Sequence, residues 1–157
     1  MAVHYHVTMS LDGYTAGPDG ETDWAAGFIA PAVLESAGAV LAGPSAAPHG
    51  WSGPLFVKAG EPVDIPGVVV LTGDVHEAVA EALLAAGAKH LVVTGADIVR
   101  ECLEQRLVDE VFVHVVPVLL GGGARFFEVE GGKRIELERT SVGESGQVTD
   151  LSFRVVK

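Results

Sequence analysis

The residues with the clearest chemical potential begin at Gly95, within HLVVTGADIVREC (residues 90–102). A β-branched run ends at this glycine and a helical pattern starts. Without a Cβ, Gly95 lets phosphate oxygens approach the backbone. The free N–H groups and the dipole of the following helix N-terminus then favour an anion. Asp97 puts a carboxylate in the first turn and works against that. Taken alone, the stretch reads more simply as a glycine-containing turn. A second group lies in SLDG, where Ser10, Asp12 and Gly13 follow an alternating segment, and at Asp23 and Trp24, which close the same loop. Asp-Gly is a common turn pair. Trp24 reads first as packing, although an aromatic in a glycine-rich loop could cover a flat ring.

Other reactive types lack a supporting pattern. His4 and His6 share one strand face and could pair as ligands, but no third ligand stands at a useful spacing, so they read as ordinary strand positions and no metal site is expected. His76-Glu77 opens like a zinc-deaminase signature, but the later Pro-Cys-x-x-Cys is missing. Ser10 has no Gly-x-Ser-x-Gly context. Cys102 falls within a helical pattern and reads as a buried thiol. No nucleophile, metal set or acid–base pair announces itself. That suits a binding protein, or an enzyme whose cofactor carries the reaction.

The elements that must position these residues follow from periodicity. Val3–Met9 alternates and predicts a strand; the loop SLDGYTAGPDGETDW follows. Pro31–Ala37 predicts a short helix, and Ala39–Ala42 a short strand. LFVKA and GVVVLTG predict two more strands, the second a continuous β-branched run of the kind buried on both faces. Asp74 caps a helix whose apolar positions are Val75, Val79, Ala82, Leu83 and Ala86, and Gly87 ends it. HLVVTG is the next buried strand and ADIVRECLEQR the next helix. DEVFVHVVPVLLGGG predicts a long strand with Pro117 inside it, hence an edge position or a bulge. RIELERTSVG and VTDLSFRVV form a hairpin around GESGQ. The order predicts one α/β domain over residues 1–157, with a mostly parallel sheet and an antiparallel C-terminal hairpin.

Bulk properties narrow the function. The 157 residues suit a single domain with a substantial core. Acids outnumber bases 21 to 10, for a formal charge of -11. Nucleic-acid binding needs a basic footprint, so it is not expected. Residues 1–57 contain no Lys or Arg, so an anion bound there must rely on backbone N–H groups. Mean hydropathy is +0.36, yet no apolar run reaches the ~18 residues of a membrane span. The excess points to buried strands or a subunit interface. A single cysteine precludes an internal disulfide. The start MAVHYHVTMS lacks a basic segment followed by an apolar one, and a cytoplasmic location is expected.

VTMSLDGYTAGPDGETDW, LVVTGADIV and LVDEVFVHVVPVLLGGGARFF, in that order, resemble the dihydrofolate reductase-like family. The resemblance is stronger to the branch of the C-terminal reductase domain of the bacterial riboflavin-biosynthesis deaminase–reductase and its stand-alone relatives. It implies a three-layer α/β/α fold around a mixed sheet, a homodimer, and hydride transfer from NADPH, with NADH possible, to a small heterocyclic or carbonyl-bearing substrate. It places the cofactor pyrophosphate at Gly95 and Ala96, within Thr94–Ile98, with Asp97 in the same turn. Thr72 lies where the family binds adenosine, and Gly43 and Ser45 where it binds phosphate. Ser10, Gly13 and Trp24 would border the substrate. Asp12 or Asp23 would position a proton donor or a water.

The sequence also departs from that pattern. Ala96 replaces a second glycine, and Gly43-Pro44-Ser45-Ala46 replaces Gly-Arg-x-Thr, which removes a charge-assisted phosphate contact. Ile29 occupies the position of the acid of true dihydrofolate reductases, so dihydrofolate is not the expected substrate. The contrasting reading is a non-catalytic dimeric descendant that binds a small ligand or a protein.

Overall fold

The fold is taken from a computed structural model of the chain, which describes residues 2–25, 37–43, 51, 53–61 and 67–157. Its strands are β1 (Val3–Ser10), β2 (Tyr14–Ala16), β3 (Ala37–Ala42), β4 (Leu55–Lys58), β5 (Val69–Leu71), β6 (His90–Thr94), β7 (Glu110–Val116), β8 (Ala124–Arg125), β9 (Leu137–Ser145) and β10 (Val148–Val155). Its helices are α1 (Val75–Ala86) and α2 (Ala96–Glu104). Eight strands form one sheet in the order β5-β4-β3-β6-β1-β7-β10-β9, and β2 pairs with β8 apart from it. The strands from β5 to β7 run parallel, and β10 and β9 are antiparallel to their neighbours. This is the expected α/β fold with a parallel sheet and a terminal hairpin.

Alternation along β1 decides the layers. Val3, Tyr5 and Val7 face one side and join Leu91 and Val93 of β6 and Val111 and Val113 of β7. Val75, Ala78 and Val79 of α1 and Ile98, Val99 and Cys102 of α2 cover that face. Fully burying a Val or Leu side chain is worth ~1.5–3 kcal/mol, so this layer holds the sheet and both helices together. The opposite face carries His4, His6 and Val92, with Val40 and Ala42 of β3 packed beside Val92 in a smaller cluster. Asp74 caps α1 as expected, its side chain accepting from Glu77 N at 2.9 Å, a bond worth ~1 kcal/mol. Gly87 follows at φ 63.

Several expectations need correction. The helix over Pro31–Ala37 lies outside the described residues except for Ala37, which is the first residue of β3. The loop after β1 is not irregular throughout, because Tyr14–Ala16 pairs with Ala124–Arg125. The β-branched run at Val68–Val70 is not buried on both faces: β5 is an edge strand and Val69 is 49% exposed. Pro117 lies outside β7, which ends at Val116 between two partners. Its ring, which offers no N–H, stops the strand and bulges nothing.

Candidate active site

The carboxyl ends of β1, β3, β4, β5, β6 and β7 share one edge of the sheet, and most of the candidate residues stand on it. The chain leaves β1 towards β3 but leaves β6 towards β7, so the connections from these two neighbours run in opposite directions. Ligands of open α/β sheets bind outside the carboxyl ends at such a reversal.

Gly95 is the N-cap of α2, at φ 102, and no side chain caps the helix there. The first N–H groups of a helix have no intrahelical acceptor, and among the described residues no side chain caps those of this turn at the sheet edge. Gly43 joins it: Gly43 N donates to Thr94 O at 3.2 Å, and a Cβ on Gly43 would lie 3.5 Å from Ile98 Cγ1. Thr94, Gly95, Gly43 and Ile98 thus form one corner. The side chain of Ile98 is buried in the core, so only its backbone can serve a ligand. Asp97 is exposed and pairs with Arg100 at 3.3 Å, which partly offsets its charge at the helix start. Thr72 follows β5, four strands from β1, or ~19 Å at the usual strand spacing. A ligand touching both Thr72 and the Asp12 loop must be elongated. Ser45 lies outside the described residues.

Ser10 is fully buried and satisfied. Its hydroxyl donates to Asp12 Oδ1 at 2.6 Å and accepts from Tyr14 N at 3.0 Å. Asp12 also accepts from Leu120 N at 3.1 Å and Gly121 N at 2.8 Å. Leu11 N donates to Val118 O at 2.9 Å, and Phe126 N donates to Gly13 O at 2.8 Å. The loop after β1 is therefore stitched to residues 118–126. The Ser10 hydroxyl, then the Gly121 amide, holds the Asp12 carboxyl down at about 2. A group held that firmly as an anion is a fastener rather than a proton donor at neutral pH.

Gly123 completes this corner. At φ 126, a Cβ there would collide with Ala16 O and Gly17, so glycine is required for β8 to lie on β2. Arg125 sits 5.1 Å over the Tyr14 ring across the same pair. Asp23 and Trp24 occupy a 3-10 turn, Asp23–Ala25, at the far end of the loop. Trp24 Nε1 donates to Glu21 O at 2.9 Å, and Asp23 is exposed. Asp12 and Ser10 are brought together; among the described residues the hydrogen bonds of the 3-10 turn stay local, and none joins it to Asp12.

Sequence spacing concealed one cluster. Parallel pairing of β1 with β6, in which Val3 faces Leu91, brings His90 beside His4 and His6. The three imidazoles each place a nitrogen within 4.8 Å of the others. The third ligand type missing from the local sequence comes from a neighbouring strand, and only the sheet order reveals it.

This architecture places the protein in a known class. The chain aligns with a dihydrofolate reductase from Enterococcus faecalis at TM-score 0.66 and 13% identity, covering 99% of this chain and 97% of that one. A Shewanella sp. PV-4 protein attributed to riboflavin biosynthesis aligns at TM-score 0.85 and 22% identity over the full length of both chains. A deaminase/5-amino-6-(5-phosphoribosylamino)uracil reductase from Thermotoga maritima aligns at TM-score 0.67 and 16% identity, covering 99% of this chain and 56% of that one. The chain thus spans little more than half the length of that two-activity relative. No curated protein matches the sequence. The family profile of the RibD C-terminal domain matches residues 57–150, and the chain belongs to that family.

Proposed function

We propose that the chain is an NAD(P)H-dependent reductase that transfers a hydride to a small heterocyclic or carbonyl-bearing substrate. One observation carries the reading: the N-terminus of α2, free of a side-chain cap at Gly95, opens at the sheet edge beside Gly43 and one strand from the Ser10–Asp12 loop. Backbone donors with a helix dipole behind them suit a pyrophosphate, so the residues present fit the cofactor. Gly95, Ala96 and the amides of Asp97 and Ile98 would hold the pyrophosphate. Gly43 and Ser45 would flank it, and Thr72 would meet the adenosine end. The nicotinamide supplies the hydride.

The chain's own part is orientation. Ser10, Asp12 and the amides of Leu120 and Gly121 fix the loop that borders the substrate. Gly13 lies in that loop, and Trp24 offers an aromatic surface farther along it. A water or other donor positioned by Asp12 or Asp23 would supply the proton that completes the reduction. The ~19 Å along the sheet edge from the β1 loop to Thr72 suits an extended dinucleotide better than a compact ligand.

Titration with NADPH and with NADH, followed by tryptophan fluorescence and melting temperature, tests this reading. Saturable binding of either cofactor is expected. No response to millimolar concentrations of both would overturn it and would leave the non-catalytic descendant. A homodimer belongs to the same proposal: β9 is exposed along its whole length, with Leu137 40% and Val142 51% exposed.

A further inference from the structure

We propose that His4, His6 and His90 bind a divalent transition-metal ion of the zinc class, on the sheet face opposite α1 and α2. This site does not depend on the reductase reading. It is built from two adjacent strands, and each imidazole contributes a nitrogen within 4.8 Å of the other two. Zinc–nitrogen bonds are ~2.0–2.1 Å, which sets tetrahedral ligand nitrogens ~3.3 Å apart, so the three atoms must close by up to ~1.5 Å through side-chain rotation. The rings of His4 and His90 are stacked 4.0 Å apart, so one must turn about its Cβ–Cγ bond to aim both in-plane lone pairs at one ion; Phe112 stacks on His6 at 4.5 Å, which shields one side.

The second observation is an unmet hydrogen-bonding demand. His6 Nδ1 and His90 Nε2 are buried and have no partner among the described residues. Buried polar atoms are ordinarily paired, and leaving them bare costs stability. A cation shared by the cluster would satisfy both.

Glu110 adds the fourth element. Its Oε2 lies 2.7 Å from His4 Nε2, placing a carboxylate against the cluster. Carboxylates that touch a ligating imidazole fix its orientation and raise its basicity. Three imidazoles with a carboxylate select zinc, copper, nickel or iron over magnesium and calcium. Three protein ligands also leave a coordination position open to water. His114 stands apart from the set. Its nitrogens fall outside the 4.8 Å grouping of the other three, and its Nδ1 is engaged by Asp150 at 2.6 Å, although its Nε2 is likewise buried without a partner among the described residues.

The test uses the chelator-stripped chain without an affinity tag. Zinc chloride is added, and melting temperature and bound metal are measured, with magnesium chloride in parallel. Zinc is expected to raise the melting temperature saturably, with one ion retained per chain, and magnesium to have no effect. Replacing zinc by cobalt should give visible absorption bands from nitrogen ligation. His90→Gln and, as an independent variant, His4→Gln should abolish the zinc shift while melting cooperatively without metal. Glu110→Gln should weaken zinc binding about ten- to a hundred-fold. His76→Gln, on the exposed side of α1, should leave it unchanged. Three outcomes would overturn the site: no zinc-dependent shift, an equal shift with magnesium, or a zinc shift that survives both His90→Gln and His4→Gln.

Discussion

Ser10 and Asp12 share a 2.6 Å hydrogen bond in which the buried hydroxyl donates to the carboxylate. Through the same carboxylate, the end of the central strand is fastened to the amides of Leu120 and Gly121. The carboxylate joins a core position to a loop more than a hundred residues away, so its hold should appear in both stability and its pH dependence.

Acid should loosen the fastening within a defined window. The folded Asp12 carboxyl lies at about 2 against an ordinary value of 3.8. A depressed carboxylate stabilises the fold fully above its unfolded value and loses that contribution as pH falls through the folded one. Asp12→Asn should therefore melt below the parent chain at neutral pH. The gap between them should stay constant down to about pH 4 and close towards pH 2. A gap that persists unchanged at pH 2 would show that the carboxylate's charge plays no part.

Glycine at 123 should be far less replaceable than glycine at 121. Gly121 has a positive φ of 73 but open space where a Cβ would stand, whereas Gly123 has φ 126 and a Cβ position inside Ala16 O. Gly121→Ala should cost ~1–2 kcal/mol from the left-handed backbone alone. Gly123→Ala should cost that and a further ~1–3 kcal/mol from overpacking. Urea unfolding of the two variants checks the order.

Asp97 should act in opposite directions on stability and on cofactor binding. A carboxylate in the first turn favours the helix through its dipole but repels a phosphate. Asp97→Asn should slightly lower the melting temperature of the free chain and tighten NADPH binding about two- to five-fold. Isothermal titration beside a thermal melt separates the effects. Equal or weaker binding by the variant would move the phosphate away from α2.

Cys102 should be silent towards thiol reagents until the chain opens. It is fully buried on α2, and desolvation, then Glu101, pushes its thiol up to about 12. Thiolate is the reactive form, so labelling should follow unfolding and its rate should rise with denaturant. Fast labelling of the native chain would place the thiol at the surface.

Much of the fold was legible because alternation and helical spacing are local signals. β1, β6, α1 and the β9–β10 hairpin all carried them. β2 and β8 were not, because three- and two-residue strands are too short to show a period. β5 was misread since burial of a β-branched run depends on whether another strand lies outside it. The corner at Gly95 was legible as a strand–glycine–helix junction, although Gly43 came to it only through the family resemblance. The role of Asp12 was only half legible. The Asp-Gly pair marks the turn at Asp12 and Gly13, while its partners Leu120 and Gly121 are set by the fold. His90 was hidden for the same reason: strand register, not spacing along the chain, decides what stands beside His4.

The position of β1 also governs the order in which the protein can assemble. Its partners are β6 and β7, and Val3 meets Leu91 while Ser10 meets Val116. At ~5–20 residues per second, ribosomes deliver these partners on the order of 5 to 20 s after β1. For that interval the strand that becomes the middle of the sheet has no neighbour, and both of its edges and its apolar face are open to other chains. Such delayed, long-range pairing slows folding. The central strand is thus the segment most in need of a chaperone, and the yield of folded protein should depend on growth temperature more than on anything at the sheet edge where the ligand would bind.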